Sequence, residues 1–158
     1  MKRTLLLFFT LIVATMSFED IAERIASSLE MTREEVQTCF HKTNATLEDL
    51  MQIDEISEDR LQTMDFDNSA VKIGCFFACL GQKKGVMTGA RVNVDYIKQF
   101  ISSHKKARPN QLTRAFKILD TCADQVRSKT NECEVSLKYI LCFIYKMERT
   151  YRSNNIDE

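Results

Sequence analysis

The sequence has few residues that interrupt helices: among 158 residues there are one proline and four glycines, and tryptophan is absent. With so few turn-forming residues, long helices are favoured. The formal charge is zero, which gives no electrostatic reason to expect nucleic acid or an anionic membrane as a partner. Hydrophobic residues make up 44% and charged residues 28%, a balance typical of a soluble globular domain.

Residues 1–17 have the pattern of a secretory signal peptide. Lys2 and Arg3 form a basic start, and an apolar run interrupted only by Thr10 follows. Thr15 and Ser17 provide small side chains before the predicted cleavage site. A transmembrane anchor is the alternative, but such a span needs about 20 apolar residues. Removing the two basic residues leaves 20 basic and 22 acidic ones, a charge of −2. We therefore expect a secreted, extracellular protein.

The remainder of the chain is expected to form one all-α domain. No repeat or Pro/Gly-rich linker divides it, so the domain should extend from residue 18 to residue 151, with a polar tail over 152–158. Apolar residues recur at helical spacing without credible strand alternation, which predicts a compact bundle of about six helices. The apolar stripe is clearest between Leu112 and Val126, and the last helix is apolar on nearly all sides.

Local signals predict several helix ends. Those for helix starts are the Thr32–Glu35 capping box, the cap residues Thr46, Asn93 and Asn131, and Pro109 in a first turn. Gly81 and Gly85 are expected to end the helix that begins near residue 69.

The six cysteines are the most informative residues: Cys39, Cys75, Cys79, Cys122, Cys133 and Cys142. In a secreted chain this even number predicts three disulfides, although sequence alone leaves fifteen connectivities open. Zinc is the alternative, but Cys75 and Cys79 form the only close pair, and His41 and His104 stand apart from it. We therefore expect neither a metal nor a cofactor.

The spacing of these cysteines resembles that of the insect odorant-binding proteins, in their six-cysteine pheromone and general-odorant branch. The first interval holds 35 residues, the second three and the last eight. The stretch from Gly85 to Ala90 is similar to that of ant members. The resemblance covers the whole mature chain and implies a helical carrier of small hydrophobic odorants or pheromones. It also implies a disulfide pairing: Cys39–Cys79, Cys75–Cys133 and Cys122–Cys142.

The resemblance further implies which side chains face the ligand. The family's ligand-facing positions correspond here to Phe77, Phe116, Leu119 and Phe143. Where the helix register is harder to assign, the candidates are Leu61, Ile101, Tyr139 and Ile140. Any one of these residues could instead be ordinary core. Tyr139 could supply a directing hydroxyl and Gln82 an amide.

The expected partner is a small apolar ligand, an odorant or a pheromone. An olfactory receptor and a second copy of the chain, forming a homodimer, are further candidate partners, whereas no nucleic acid and no membrane span are expected. Asn44 begins an N-glycosylation sequon, although Thr46 has a rival role as a helix cap. His41 and His104 could make ligand release depend on pH, or be ordinary surface histidines.

Two other function classes compete with the carrier. An enzyme is disfavoured because no G-x-S-x-G motif occurs, only two histidines are present, and disulfides would leave no thiol nucleophile. A secreted, disulfide-stapled signalling protein that acts through its surface is the stronger alternative. The interior distinguishes the two, because a carrier should contain a closed apolar cavity of several hundred Å³ and a signalling bundle should be filled by its own side chains.

Overall fold

The computed structural model describes residues 18–52, 68–104 and 108–154. These residues form seven α-helices and two very short strands, and they divide into two compact units, the first ending at Thr38 and the second beginning at Cys39. The elements are α1 (Phe18–Leu29), α2 (Arg33–Thr43), α3 (Leu47–Met51), α4 (Asn68–Lys84), β1 (Met87–Thr88), β2 (Arg91–Val92), α5 (Val94–His104), α6 (Pro109–Val126) and α7 (Glu132–Asn154). The all-α prediction is confirmed, and α7 continues into the segment predicted to be a polar tail.

The first unit contains α1 and the start of α2. The deepest side chains of α1 are Ala22 and Ala26, which lie on the same stripe as the larger apolar residues of that helix. The predicted capping box at the start of α2 is confirmed: the Glu35 amide donates to Thr32 Oγ1 at 3.2 Å, and the Thr32 amide donates to Glu35 Oε2 at 2.9 Å. This reciprocal pair satisfies amides that the first helical turn leaves unbonded.

In the second unit, α3 begins as the sequence predicts. The Asp49 amide donates to Thr46 Oγ1 at 3.1 Å, and the Thr46 amide donates back to Asp49 Oδ2 at 2.8 Å. Ser69 at the start of α4 donates a hydrogen bond to the same carboxylate, which connects α3 to α4. This short helix is therefore stabilised from both directions.

Helix α4 packs along α7, and Gly74 makes their closest approach possible. A Cβ atom at Gly74 would lie 2.3 Å from the carbonyl oxygen of Cys133, a distance that real Cβ atoms do not adopt. The prediction that Gly81 helps to end the helix is wrong, because α4 continues through it to Lys84. The actual stop is Gly85, whose φ of 83° requires a residue without a Cβ.

The sequence analysis did not anticipate the β1–β2 hairpin that follows. Met87 pairs with Val92 and Thr88 with Arg91, so the turn has only two residues, with Gly89 first and at φ 56°. A ladder of two residues per strand is too short to show alternation. Asn93, predicted to cap α5, precedes that helix but uses its side-chain amide to donate to the Gly85 carbonyl at 2.8 Å.

The last two helices begin where the sequence predicts. Pro109 occupies the first turn of α6, and Asn131 Oδ1 accepts hydrogen bonds from the amides of Cys133 and Glu134 at the start of α7. Helix α7 contacts α4, α6 and β2, so it is the element around which the second unit is built. Its buried side chains include Val135, Leu137 and Leu141.

Candidate functional site

Three disulfides hold the second unit together. Cys39–Cys79 joins α2 to α4, Cys75–Cys133 joins α4 to the start of α7, and Cys122–Cys142 joins α6 to α7. No cysteine is free. These are the pairs that the family resemblance implies. Two same-face cysteines, one turn apart on α4, thus connect that helix to two different neighbours.

The Cys122–Cys142 bond lies in an apolar cluster between α6 and α7. Its buried members are Ala78, Met87, Leu119, Cys122, Val126, Val135, Tyr139 and Cys142. Partly buried apolar side chains pack against them from α5, α6, α7 and the hairpin, namely Ala90, Val92, Val94, Ile97, Ile101, Phe116, Ile118, Ala123 and Phe143. We call this set of residues the α6–α7 cluster.

The α6–α7 cluster brings together five of the residues named as ligand-facing candidates. Leu119 and Tyr139 are buried within it, and Ile101, Phe116 and Phe143 pack against it. They come from three helices, α5, α6 and α7, so they can surround a guest from different sides.

The other three candidates lie elsewhere or outside the described residues. Phe77 is partly buried, with its ring centroid 5.5 Å from that of Phe76, which in turn stacks on Phe40 at 4.1 Å. Ile140 is partly buried on α7. Leu61 falls outside the residues that the structure describes.

An open cleft of about 620 Å³ lies beside the cluster, between the hairpin and the C-terminal end of α6. Five apolar residues line the cleft and also belong to the α6–α7 cluster: Ala90, Val92, Val94, Ala123 and Val126. The sequence analysis predicted the α6 stripe that ends at Val126 but missed Ala90 and Val92 of the hairpin and Val94 at the start of α5. The available signal was the pair Gly85 and Gly89 flanking Met87, which marks a tight turn followed by two valines.

The cleft rim is polar and basic, with Thr88, Arg91, Arg127, Lys129 and Thr130. Two of these cations have acidic partners: Arg127 lies 2.7 Å from Asp124, and Lys129 lies 3.2 Å from Glu134. Lys138 also approaches the Glu134 carboxylate, at 2.9 Å. The hydrogen bond from Lys138, followed by that from Lys129, lowers the pKa of Glu134 below its ordinary value of 4.5. The rim is thus partly neutralised by its own ion pairs.

Tyr139 introduces a hydroxyl into this apolar environment. Its side chain is 7% exposed, and Oη has no hydrogen-bond partner among the described residues. Burial, followed by the nearby Asp120 carboxylate, raises the pKa of the phenol well above its ordinary value. The hydroxyl therefore stays protonated and able to donate.

The second directing group suggested by the sequence is engaged elsewhere. Gln82 Nε2 donates to Glu132 Oε2 at 2.6 Å, and both residues line a separate groove of about 320 Å³ beside the Cys75–Cys133 bond. Its amide is therefore committed to a contact between α4 and α7 and lies away from the cleft.

The remaining polar candidates lie near helix ends. His41 is exposed in the last turn of α2, and the side chain of His104 lies outside the described part of the structure. Asn44 is exposed at φ 52°, in the turn between α2 and α3. Within the described ranges, no group of three or more His, Cys, Asp or Glu residues could hold a metal ion. None of the described helices is long and apolar enough to cross a membrane.

Comparison with known proteins gives one consistent result. The model of the PBP/GOBP family matches residues 22–146. The pheromone-binding protein Gp-9 of Solenopsis globularia littoralis is 26% identical over 136 residues, which cover 86% of this chain and 83% of that protein. The protein of the same name from Solenopsis richteri is 24% identical over 136 residues, covering 86% of this chain and 85% of that one. No solved structure shows a significant match.

Proposed function

The chain belongs to the PBP/GOBP family, and we propose that it is a secreted carrier that binds and transports small hydrophobic odorants or pheromones. The observation that carries the proposal is the continuity between the α6–α7 cluster and the adjoining open cleft. The cleft has the volume of several hundred Å³ that is typical of small-molecule sites, and five of its ten lining residues are apolar.

The proposed ligand site is formed by Ile101, Phe116, Leu119, Tyr139 and Phe143. Val92 of the hairpin and Val94 of α5 are proposed to lie at its entrance. Most of these side chains are only partly buried in the ligand-free protein, so a guest can remove further apolar surface from water. Micromolar affinity corresponds to about 8 kcal/mol. At about 25 cal/mol per Å², burial of about 300 Å² of apolar surface supplies most of that free energy.

The proposal includes removal of residues 1–17 as a signal peptide. Three disulfides with no free cysteine suit an oxidising, extracellular environment. The family and the relatives are named for binding rather than for catalysis, which supports a carrier over an enzyme.

The test is displacement of an environment-sensitive naphthylamine probe from the oxidised mature protein, using a panel of long-chain and ring-containing volatiles. A carrier should take up the probe with a blue-shifted emission and release it competitively at micromolar ligand. A signalling protein that acts through its surface should neither bind the probe nor respond to the panel, and that result would refute the proposal.

A further inference from the structure

Tyr139 is the polar side chain whose surroundings least explain it. Buried hydroxyls are nearly always hydrogen-bonded, because a buried hydroxyl without a partner loses its hydrogen bonds to water and gains none in return. Tyr139 is only 7% exposed, yet its Oη atom has no hydrogen-bond partner within the described part of the protein.

The members of the α6–α7 cluster around Tyr139 are apolar. Val135 lies one turn before it on α7, and Cys142 and Phe143 lie one turn after it. All three belong to the α6–α7 cluster, as does Leu119 on the facing helix α6. Side chains of this kind provide hydrocarbon and disulfide sulfur but no strong hydrogen-bond acceptor.

The Asp120 carboxylate does not serve as the partner. Asp120 influences Tyr139 electrostatically, but its two carboxylate oxygens accept hydrogen bonds from Lys98 Nζ at 2.7 and 2.9 Å. Lys98 Nζ also lies 5.8 Å from the ring centroid of Phe116. The carboxylate is thus engaged in an ion pair between α5 and α6, and it accepts no hydrogen bond from Tyr139 Oη.

Tyr139 does not line the cleft itself, but it belongs to the same packed apolar cluster as part of the cleft wall. Leu119, Ala123 and Val126 follow one another along one face of α6, and all three belong to the cluster that contains Tyr139. Ala123 and Val126 also form part of the cleft wall. A guest that binds at the cleft and displaces side chains of this cluster would therefore meet hydrocarbon and one hydrogen-bond donor.

From this arrangement we infer that Tyr139 determines ligand specificity, by donating a hydrogen bond from Oη to an oxygen atom of an otherwise apolar guest. The ligand class is then an oxygenated chain or ring, such as a ketone, an ester or an alcohol, in preference to a pure hydrocarbon. The inference rests on the proposed carrier function and specifies the chemistry of its site.

The experiment compares a long-chain ketone with the alkane of equal chain length, in the wild-type protein and in Tyr139→Phe. The wild type should bind the ketone more tightly. Tyr139→Phe should weaken ketone binding about 2- to 10-fold, the range expected for one neutral hydrogen bond, and leave alkane binding unchanged or tighter. Tyr96→Phe, at a 40%-exposed tyrosine on α5, is the matched control and should change neither affinity.

The ligand-free variant gives an independent result. Because the hydroxyl has no described partner, Tyr139→Phe should melt at the same temperature as the wild type or higher. A lower melting temperature would show that the hydroxyl stabilises the free protein, and an equal loss of affinity for ketone and alkane would show that the change alters the shape of the site. Either result overturns the inference.

Failure of the inference and failure of the carrier function are distinguishable. If the wild type binds the naphthylamine probe but treats ketone and alkane alike, the carrier function stands and the role of Tyr139 is refuted. If the wild type binds neither the probe nor the two ligands, the proposed function itself fails.

Discussion

Replacing Phe143 with alanine distinguishes a ligand-contacting wall from ordinary core. Phe143 follows Cys142, whose bond to Cys122 fixes α7 against α6, and it packs on the α6–α7 cluster while remaining partly exposed. Removing a phenyl ring from a closed core costs about 3–5 kcal/mol, because it loses burial and leaves a void. The Phe143 ring is already partly exposed, so we expect the free energy of unfolding to fall by less than about 3 kcal/mol.

Ligand binding should change more than stability does. A guest that packs against the ring loses part of its apolar contact, about 1–3 kcal/mol, which weakens binding about 5- to 140-fold. The matched control is Phe76→Ala, since Phe76 is fully buried and stacks on Phe40 at 4.1 Å. The free energy of unfolding of that variant should fall by the full range of about 3–5 kcal/mol that is typical of a packed Phe. Its affinity for the probe should be unchanged, provided that it folds.

Chemical denaturation and probe titration on the same samples measure both quantities. The reasoning is refuted if Phe143→Ala loses as much stability as Phe76→Ala while binding the probe as the wild type does. Phe143 would then be core, and the ligand site would lie elsewhere.

Three further predictions concern stability. The Cys75–Cys133 bond closes a loop with a sequence separation of 58. Replacing both cysteines with serine should therefore lower the free energy of unfolding by about 4 kcal/mol in the chain-entropy account, and urea unfolding measures the loss. Gly74→Ala should cost about 1–3 kcal/mol, because its Cβ would meet a backbone carbonyl oxygen. Gly81→Ala, whose Cβ meets only a flexible side chain at 3.1 Å, should be neutral or stabilising, and equal losses at the two glycines would contradict the close helix contact. Glu134 has a lowered pKa in the folded state, so its stabilisation is present above about pH 4.5 and is lost as the pH falls through the folded-state pKa. Glu134→Gln should lower the free energy of unfolding at pH 7 by about 0.5–1 kcal/mol and make stability depend less on pH in the acid range. An unchanged pH dependence in the acid range would exclude the effect.

Local chemistry made several helix ends predictable from sequence. The capping hydrogen bonds of Thr32 with Glu35, and of Thr46 at the start of α3, form as their residue types predict. A helix cap depends only on residues within about four positions of each other, so sequence is sufficient to predict it. Pro109 likewise lies in the first turn of its helix. The disulfide pairs came from the family resemblance, since spacing alone left fifteen connectivities open.

The cleft could not be predicted in the same way, because it depends on contacts between distant segments. Its hairpin has two residues per strand, and the cleft depends on where the hairpin lies relative to the C-terminal end of α6. Gly81 shows the same limit. From sequence alone, a glycine within a helix cannot be distinguished from a glycine that ends one, and the packing of Gly81 against Met87 is known only from the structure. The unpartnered hydroxyl of Tyr139 is likewise a property of the packed cluster.

The most direct test of the central claim is an isotope-filtered NMR experiment on the oxidised protein with a bound long-chain ketone. The account predicts intermolecular NOEs from the ligand to the methyl groups of Leu119 and Val126 and to the ring of Phe143. NOEs confined to other surfaces of the protein, or none at saturating ligand, would contradict it.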